Sequence, residues 1–319
     1  MELYDYHNFK QLYFFGSCKN GLKGLIKAID NYIKTADEKE KALGISITSN
    51  IVTRQSIYSK RNNYYNLRNS IIIVLGNCLF DKNKTLFNLL DDYNNKLSSI
   101  NSHLLFIRGE NDNQDLFFNK EINLSNIKVL SDYTVIKVDK YNILTIGGNI
   151  SIDRSWKKEY GTVISKRLYW ENENTEYSQE LIDEILNSTH IDAIASVSCP
   201  TFVSIPTDTY RKEWIYSDDK LKTDIIQQRL TMDNIYHQCL LKENVPKTWV
   251  FSNCQSSDDN YVNNILFKSI NGTRIFWFTK WYESTSDNDD YESDGINMNF
   301  DEELEEYEEM AFGNNAIEN

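Results

Sequence analysis

The chain has 319 residues, which suits one large domain or two small ones, and 40% hydrophobic with 13% aromatic residues is enough for a substantial core. The net charge of −13 sits at one end: of 47 acidic residues, 14 lie from Glu283 onward, where there is no Lys or Arg, leaving 33 acids against 34 bases in residues 1–282. A nearly neutral body with no basic block argues against direct nucleic-acid binding, and the longest apolar run, Ile71 to Leu75, is too short to span a membrane.

The start, Met1 to Asp5, lacks the basic and apolar stretches of a signal peptide, so an intracellular origin is expected. Tyr13-Phe14-Phe15 leads into Gly16 and then Leu22, Leu25, Ile26 and Ile29 at helical spacing, which reads as strand, tight loop, helix. Ile71 to Leu75 is a buried strand ending at Gly76, followed by a helix with Leu86, Leu89 and Leu90 on one face. Leu104 to Ile107 is a third buried strand, stopped by Arg108-Gly109. Short strands at Tyr141–Ile146, Ala193–Val197, Thr248–Phe251 and Arg274–Phe278 follow, with helices over 178–187 and 221–241. Alternating strands and helices predict an α/β protein. Residues 1–282 form the expected domain, 283–298 a flexible acidic linker rich in Ser, Asp and Asn, and 299–319 an acidic amphipathic tail.

The segments at the strand ends carry the most information. They are Gly16-Ser17-Cys18-Lys19-Asn20, Leu75-Gly76-Asn77, Arg108-Gly109-Glu110-Asn111-Asp112, Gly147-Gly148-Asn149-Ile150-Ser151-Ile152-Asp153-Arg154, Ser196-Val197-Ser198-Cys199-Pro200 and Trp249-Val250-Phe251-Ser252-Asn253-Cys254-Gln255. In order and context this set resembles the calcineurin-like metallophosphoesterase family, over roughly Tyr13 to Tyr282. The resemblance implies a two-sheet β-sandwich flanked by helices, and in the family's enzymes two divalent cations that activate water and hold a phosphoryl group.

The resemblance also implies which positions once held metal, and here they have changed. Ser17 stands for an Asp, Lys19 for a His, Asn77 for the bridging Asp, Glu110 for an Asn, and Asn111 for the proton-donating His. Val197, Asn253 and Gln255 stand for three His ligands, while Asp112 alone is kept. Hard carboxylates and neutral imidazoles are what divalent cations need, so no metal, no cofactor and no catalysis of the family reaction is expected. None of His7, His103, His190 and His237 falls on a motif position. A weak metal site on Glu110, Asn77 and Asn253 is one alternative; an ammonium from Lys19 paired with Glu110 in place of an ion is another, and a Lys19 pointing to water a third.

Cys18, Cys78, Cys199 and Cys254 sit in or beside these motifs. A thiolate zinc site is weighed against small buried thiols packing at strand ends, and packing is favoured; with no CxxC pair, reduced thiols fit better than disulfides. Ligand binding by Asp153 and Arg154 is weighed against the structural loop and salt bridge that the resemblance suggests, and a ligand cage of Trp156 and Trp170 against burial in the core, which is favoured. In the tail, Phe300, Leu304, Tyr307 and Ala311 recur at helical spacing among Asp and Glu, one apolar stripe for a protein partner, weighed against a solvated tail.

The expected function is a non-catalytic pseudo-phosphoesterase acting as a structural or interaction component in an oligomeric assembly. AT-codon-biased composition, the altered motifs and the tail suggest a bacteriophage virion neck or tail. The alternatives are a phosphoesterase with residual or altered activity and a regulatory pseudoenzyme that binds a partner through the old cleft.

Overall fold

The computed structural model describes residues 2–18, 21–42, 65–78, 84–165, 167–205, 214, 218–252 and 257–286. Two mixed sheets face each other. The first has five strands: β2 (Gln11–Phe15), β3 (Ser70–Leu75), β4 (His103–Ile107) and β5 (Ile127–Val129) run parallel, and β12 (Ile275–Trp277) pairs antiparallel with β2. The second has seven, in the order β1 (Glu2–Tyr6), β6 (Thr134–Val138), β7 (Tyr141–Ile146), β8 (Ala193–Ser196), β9 (Thr248–Phe251), β11 (Ile265–Ser269), β10 (Asp259–Val262). Its centre, β7-β8-β9-β11, is parallel, and β6 and β10 pair antiparallel with β7 and β11.

The apolar runs explain this layering. Successive strand residues point to opposite faces, so a strand buried on both sides reads as an unbroken hydrophobic run. Ile71, Ile73 and Leu75 of β3 enter the core between the sheets, with Leu12, Phe14, Leu105, Ile107, Ile143, Ala195 and Val250. Ile72 and Val74 face the other way, onto helices α1 (Gly21–Ala42) and α2 (Lys84–Ser99), where Leu25, Ile29, Leu90 and Leu97 are buried. On the far face of the seven-stranded sheet, Leu144, Ile146, Ile194, Trp249 and Phe251 pack on Ile182 and Ile185 of α5 (Gln179–Ser188) and Met232 and Ile235 of α6 (Leu221–Leu241). The result is four layers, helix, sheet, sheet, helix. Each fully buried Ile or Leu in it contributes about 1.5–3 kcal/mol.

Three shorter helices complete the described residues: α3 (Gln114–Phe118), α4 (Arg154–Val163) and α7 (Phe278–Ser286). The expected helix over 221–241 has those bounds, and that over 178–187 starts one residue later because Ser178 caps it through the Leu181 amide. Strand Arg274–Phe278 is shorter than expected: Phe278 begins α7, which runs past residue 282 to Ser286. Edge strands β1, β5 and β10 lack long apolar runs and were not among the expected elements. No described helix is long and apolar enough to cross a membrane. The amphipathic residues Phe300, Leu304, Tyr307 and Ala311 lie outside the described residues.

Candidate functional site

Parallel strands bring their C-terminal ends to one rim of the sandwich, and the motif segments gather there. Ser252 after β9 donates to the Leu75 carbonyl at 2.6 Å, so the two sheets are tied at this rim. The loop after β3 needs Gly76 and Gly109 because a Cβ on Gly76 would come within 2.9 Å of Gly109 Cα, and one on Gly109 within 2.4 Å of Asn77 Oδ1. Asn77 has a left-handed backbone (φ 64°), a conformation that Asn tolerates better than most residues.

Asn77 organises the centre. Its Oδ1 accepts from the backbone N–H of Asn111 at 3.0 Å. That partner can only donate, so the amide orientation is forced and the NH2 group faces the centre. There it donates to Ser17 Oγ at 2.9 Å and to Glu110 Oε1 at 3.0 Å. Asp112 has a separate role. Its Oδ2 accepts from the backbone N–H groups of Asn77 (2.8 Å) and Gly109 (2.7 Å), clamping the two loops together. That work needs no catalytic histidine beside it. Val197 is fully buried in the core between the sheets, an aliphatic group where the resemblance expects a ligand.

The ammonium at this rim comes from a residue outside the motif segments. Lys157, on α4, has a side chain only 10% exposed. Its ammonium donates to Ser151 Oγ at 3.1 Å and to Asn111 Oδ1, and pairs with Asp153 at 2.7 Å. Burial raises the pKa of Glu110, and the Lys157 charge and the Asn77 amide oppose that shift. Glu173 is pushed up to about 7, again by burial, opposed by Ser151, whose N–H donates to Oε1 at 2.9 Å. Neither Glu110 Oε2 nor Glu173 Oε2 has a hydrogen-bond partner among the described residues, although both atoms are buried. The sequence signal for Lys157 is its place nearly one helical turn after Arg154, the last residue of the fourth motif segment.

Lys19, Asn253, Cys254 and Gln255, and with them the expected Lys19–Glu110 pair, lie outside the described residues. Two arginines brace the loops. Arg108 donates to both oxygens of Asp132 (2.5–3.2 Å), to Gln114 Oε1 (3.0 Å) and to the carbonyls of Asn172, Glu173 and Asn174 (2.8–3.1 Å). Arg154 pairs with Asp218 and Asp224, each at 2.6 Å, and holds the Asp218 carboxyl well below its usual range. Behind Glu173 a cavity of about 320 Å³ has polar walls, among them Lys158, Tyr169, Glu171, Gln228 and Thr231.

One expectation is overturned. Trp170 is buried, but Trp156 is 46% exposed, stacked on Tyr160 at 4.9 Å on the outer face of α4. Helical geometry puts residues four apart side by side, and Lys157 and Gly161 take the inner face. Cys18 and Cys78 interact beneath α1, where burial pushes the Cys78 thiol well up, whereas Cys199 lies at the other sheet with Arg229 on its sulfur at 3.8 Å. Among the described residues, no three His, Cys, Asp or Glu side chains converge as metal ligands.

The donor set can be judged on its chemistry. A two-metal centre needs several anionic oxygens or imidazoles directed inward. The described residues place there a hydroxyl, an amide NH2 group, an aliphatic side chain, an ammonium and the carboxylate of Glu110, with that of Glu173 close by. These do not fit two divalent cations. No family model matches the chain, and no curated protein is significantly similar to it in sequence.

Proposed function

We propose that this chain is a non-catalytic metallophosphoesterase-like scaffold, serving as a structural or interaction component of a larger protein assembly. The fold reading is supported by two facing mixed sheets whose motif segments meet at one rim. The observation that carries the non-catalytic reading is the Asn77 carboxamide. The resemblance puts a metal-bridging carboxylate at that position, and here a hydrogen-bond donor faces Ser17 and Glu110. A donor repels a cation. The Lys157 ammonium nearby supplies positive charge without an ion.

Elemental analysis of the purified full-length protein tests this reading. It should find no stoichiometric Mn, Fe or Zn, and a generic phosphodiester should not be hydrolysed. The Asn77→Asp variant should gain neither property, because its new carboxylate would face Glu110 and Val197 would still offer no ligand. One tightly bound transition metal per chain, or turnover above background, would overturn the non-catalytic reading. Native mass spectrometry tests the assembly role: multi-subunit complexes are expected, and a monomer under all conditions, alone or with extracts of its source, would refute it.

A further inference from the structure

The polar cavity behind Glu173 is not something a scaffold requires. At about 320 Å³ it lies at the small end of the range for sites of organic ligands. Its walls come from α4, from residues 169–175 and from the first half of α6. Part of that wall is already satisfied. Arg154 and Asp224 pair with each other. Gln228 accepts from the Thr175 N–H at 2.8 Å and donates to Thr175 Oγ1 at 2.9 Å. These pairs give the cavity its shape.

Glu173, in the same wall, is different. The residue is 1% exposed and its Oε1 takes the Ser151 N–H, but Oε2 has no hydrogen-bond partner among the described residues. A buried carboxylate oxygen without a donor is costly. A guest in the cavity that brings a donor removes that cost, and an ammonium does so best because its bond to a carboxylate is charge-assisted. The remaining charge lies nearer to solvent. Arg154, Lys158 and Lys220 are the cations of the wall, and Glu171, Glu173 and Asp224 its anions. Arg154 is also paired with Asp218, which leaves the region with an excess of negative charge. Lys158, over the Tyr169 ring at 4.4 Å, and Lys220 are exposed, and neither forms an ion pair with a described carboxylate. Both can therefore take an anionic group of a guest.

We infer that this cavity binds a small zwitterion, whose ammonium donates to Glu173 Oε2 and whose carboxylate meets Lys158 or Lys220. A simple anion lacks the donor that Glu173 needs. A simple amine leaves both lysines unanswered, and a polyol answers Glu173 but neither charge.

Thermal unfolding of the full-length protein with glycine, β-alanine, γ-aminobutyrate and ε-aminocaproate tests this, because the series varies the distance between the two charges. At about 10 mM, a member with a Kd of about 1 mM should raise Tm by about 3 °C. Butylamine, butyrate and glycerol each carry only part of the chemistry and should bind at least about tenfold more weakly. Glu173→Gln keeps the shape of the side chain but removes the anionic acceptor, and should weaken the best zwitterion at least about tenfold. Lys158→Gln/Lys220→Gln leaves the buried wall untouched, and should weaken the zwitterion about tenfold without weakening butylamine. The inference falls if no member of the series binds, or if Glu173→Gln or the lysine double variant binds the best of them as tightly as the wild type. It also falls if butylamine, butyrate or glycerol matches that member, which would make the cavity a site for a different class of guest.

Discussion

At the upper rim of the sandwich, where the motif segments meet, cations are buried and held by partners from several loops; at the opposite, lower rim the ammonium groups of Lys140 and Lys247 stay at the surface, over buried aromatic rings and beside the buried Asp192 carboxylate. Arg108, Glu110, Asp112, Lys157 and Glu173 are all buried. Lys140 and Lys247 are exposed, over the buried rings of Tyr141 and Tyr282. A buried charge must be paired or hydrogen-bonded, and removing its partner leaves a large penalty, whereas an exposed charge is already solvated and its contacts are worth little. Stability of the two rims should therefore respond very differently to loss of one cation.

The largest effect is expected at Arg108. Arg108→Met strands Asp132 and three loop carbonyls, and should cost about 3–5 kcal/mol in denaturant unfolding. A loss below roughly 1 kcal/mol would break the distinction between the rims.

Next comes Glu173, with a folded-state pKa raised from 4.5 to about 7 by burial. Between those values the folded protein binds more protons than the unfolded chain, so stability falls as pH rises from about 4.5 to about 7, by up to about 3 kcal/mol. Glu173→Gln should flatten that slope. A variant whose stability follows the wild-type pH curve would show that Glu173 is not held in its neutral form. The smallest effect belongs to the lower rim, where Lys140→Gln/Lys247→Gln should change global stability by less than about 0.5 kcal/mol in denaturant unfolding.

Much of the frame was legible in the chain itself. Ile71 to Leu75 and Leu104 to Ile107 are apolar on both faces, and only a strand enclosed between two layers needs that. The helix at 221–241 had matching bounds, although it has apolar and polar residues on all sides. Strands β1, β5 and β10 at the sheet edges, and β6 and β11 inside the larger sheet, were not among the expected elements; they are short, and their pairing depends on residues far apart in sequence, as Glu2 to Tyr6 pair with Thr134 to Val138. Trp156 was misplaced because aromatic content predicts burial only on average. The face it occupies was decided by Lys157 and Gly161, which turn inward.

For the candidate site, residue identity at Ser17, Asn77, Glu110 and Val197 was enough to say which ligands a two-metal centre would lack, because donor chemistry is a property of the side chain. Its replacement was not readable there. Lys157 lies 46 residues from its partner Asn111, and Arg108 lies 24 from Asp132. Such pairs exist only once the parallel strands have carried their loops to a common rim. Sequence thus determined the layers and which donor groups stand at the motif positions, through local periodicity and side-chain chemistry. Tertiary structure alone decided which ammonium stands among the buried carboxylates, because that depends on distances across the fold.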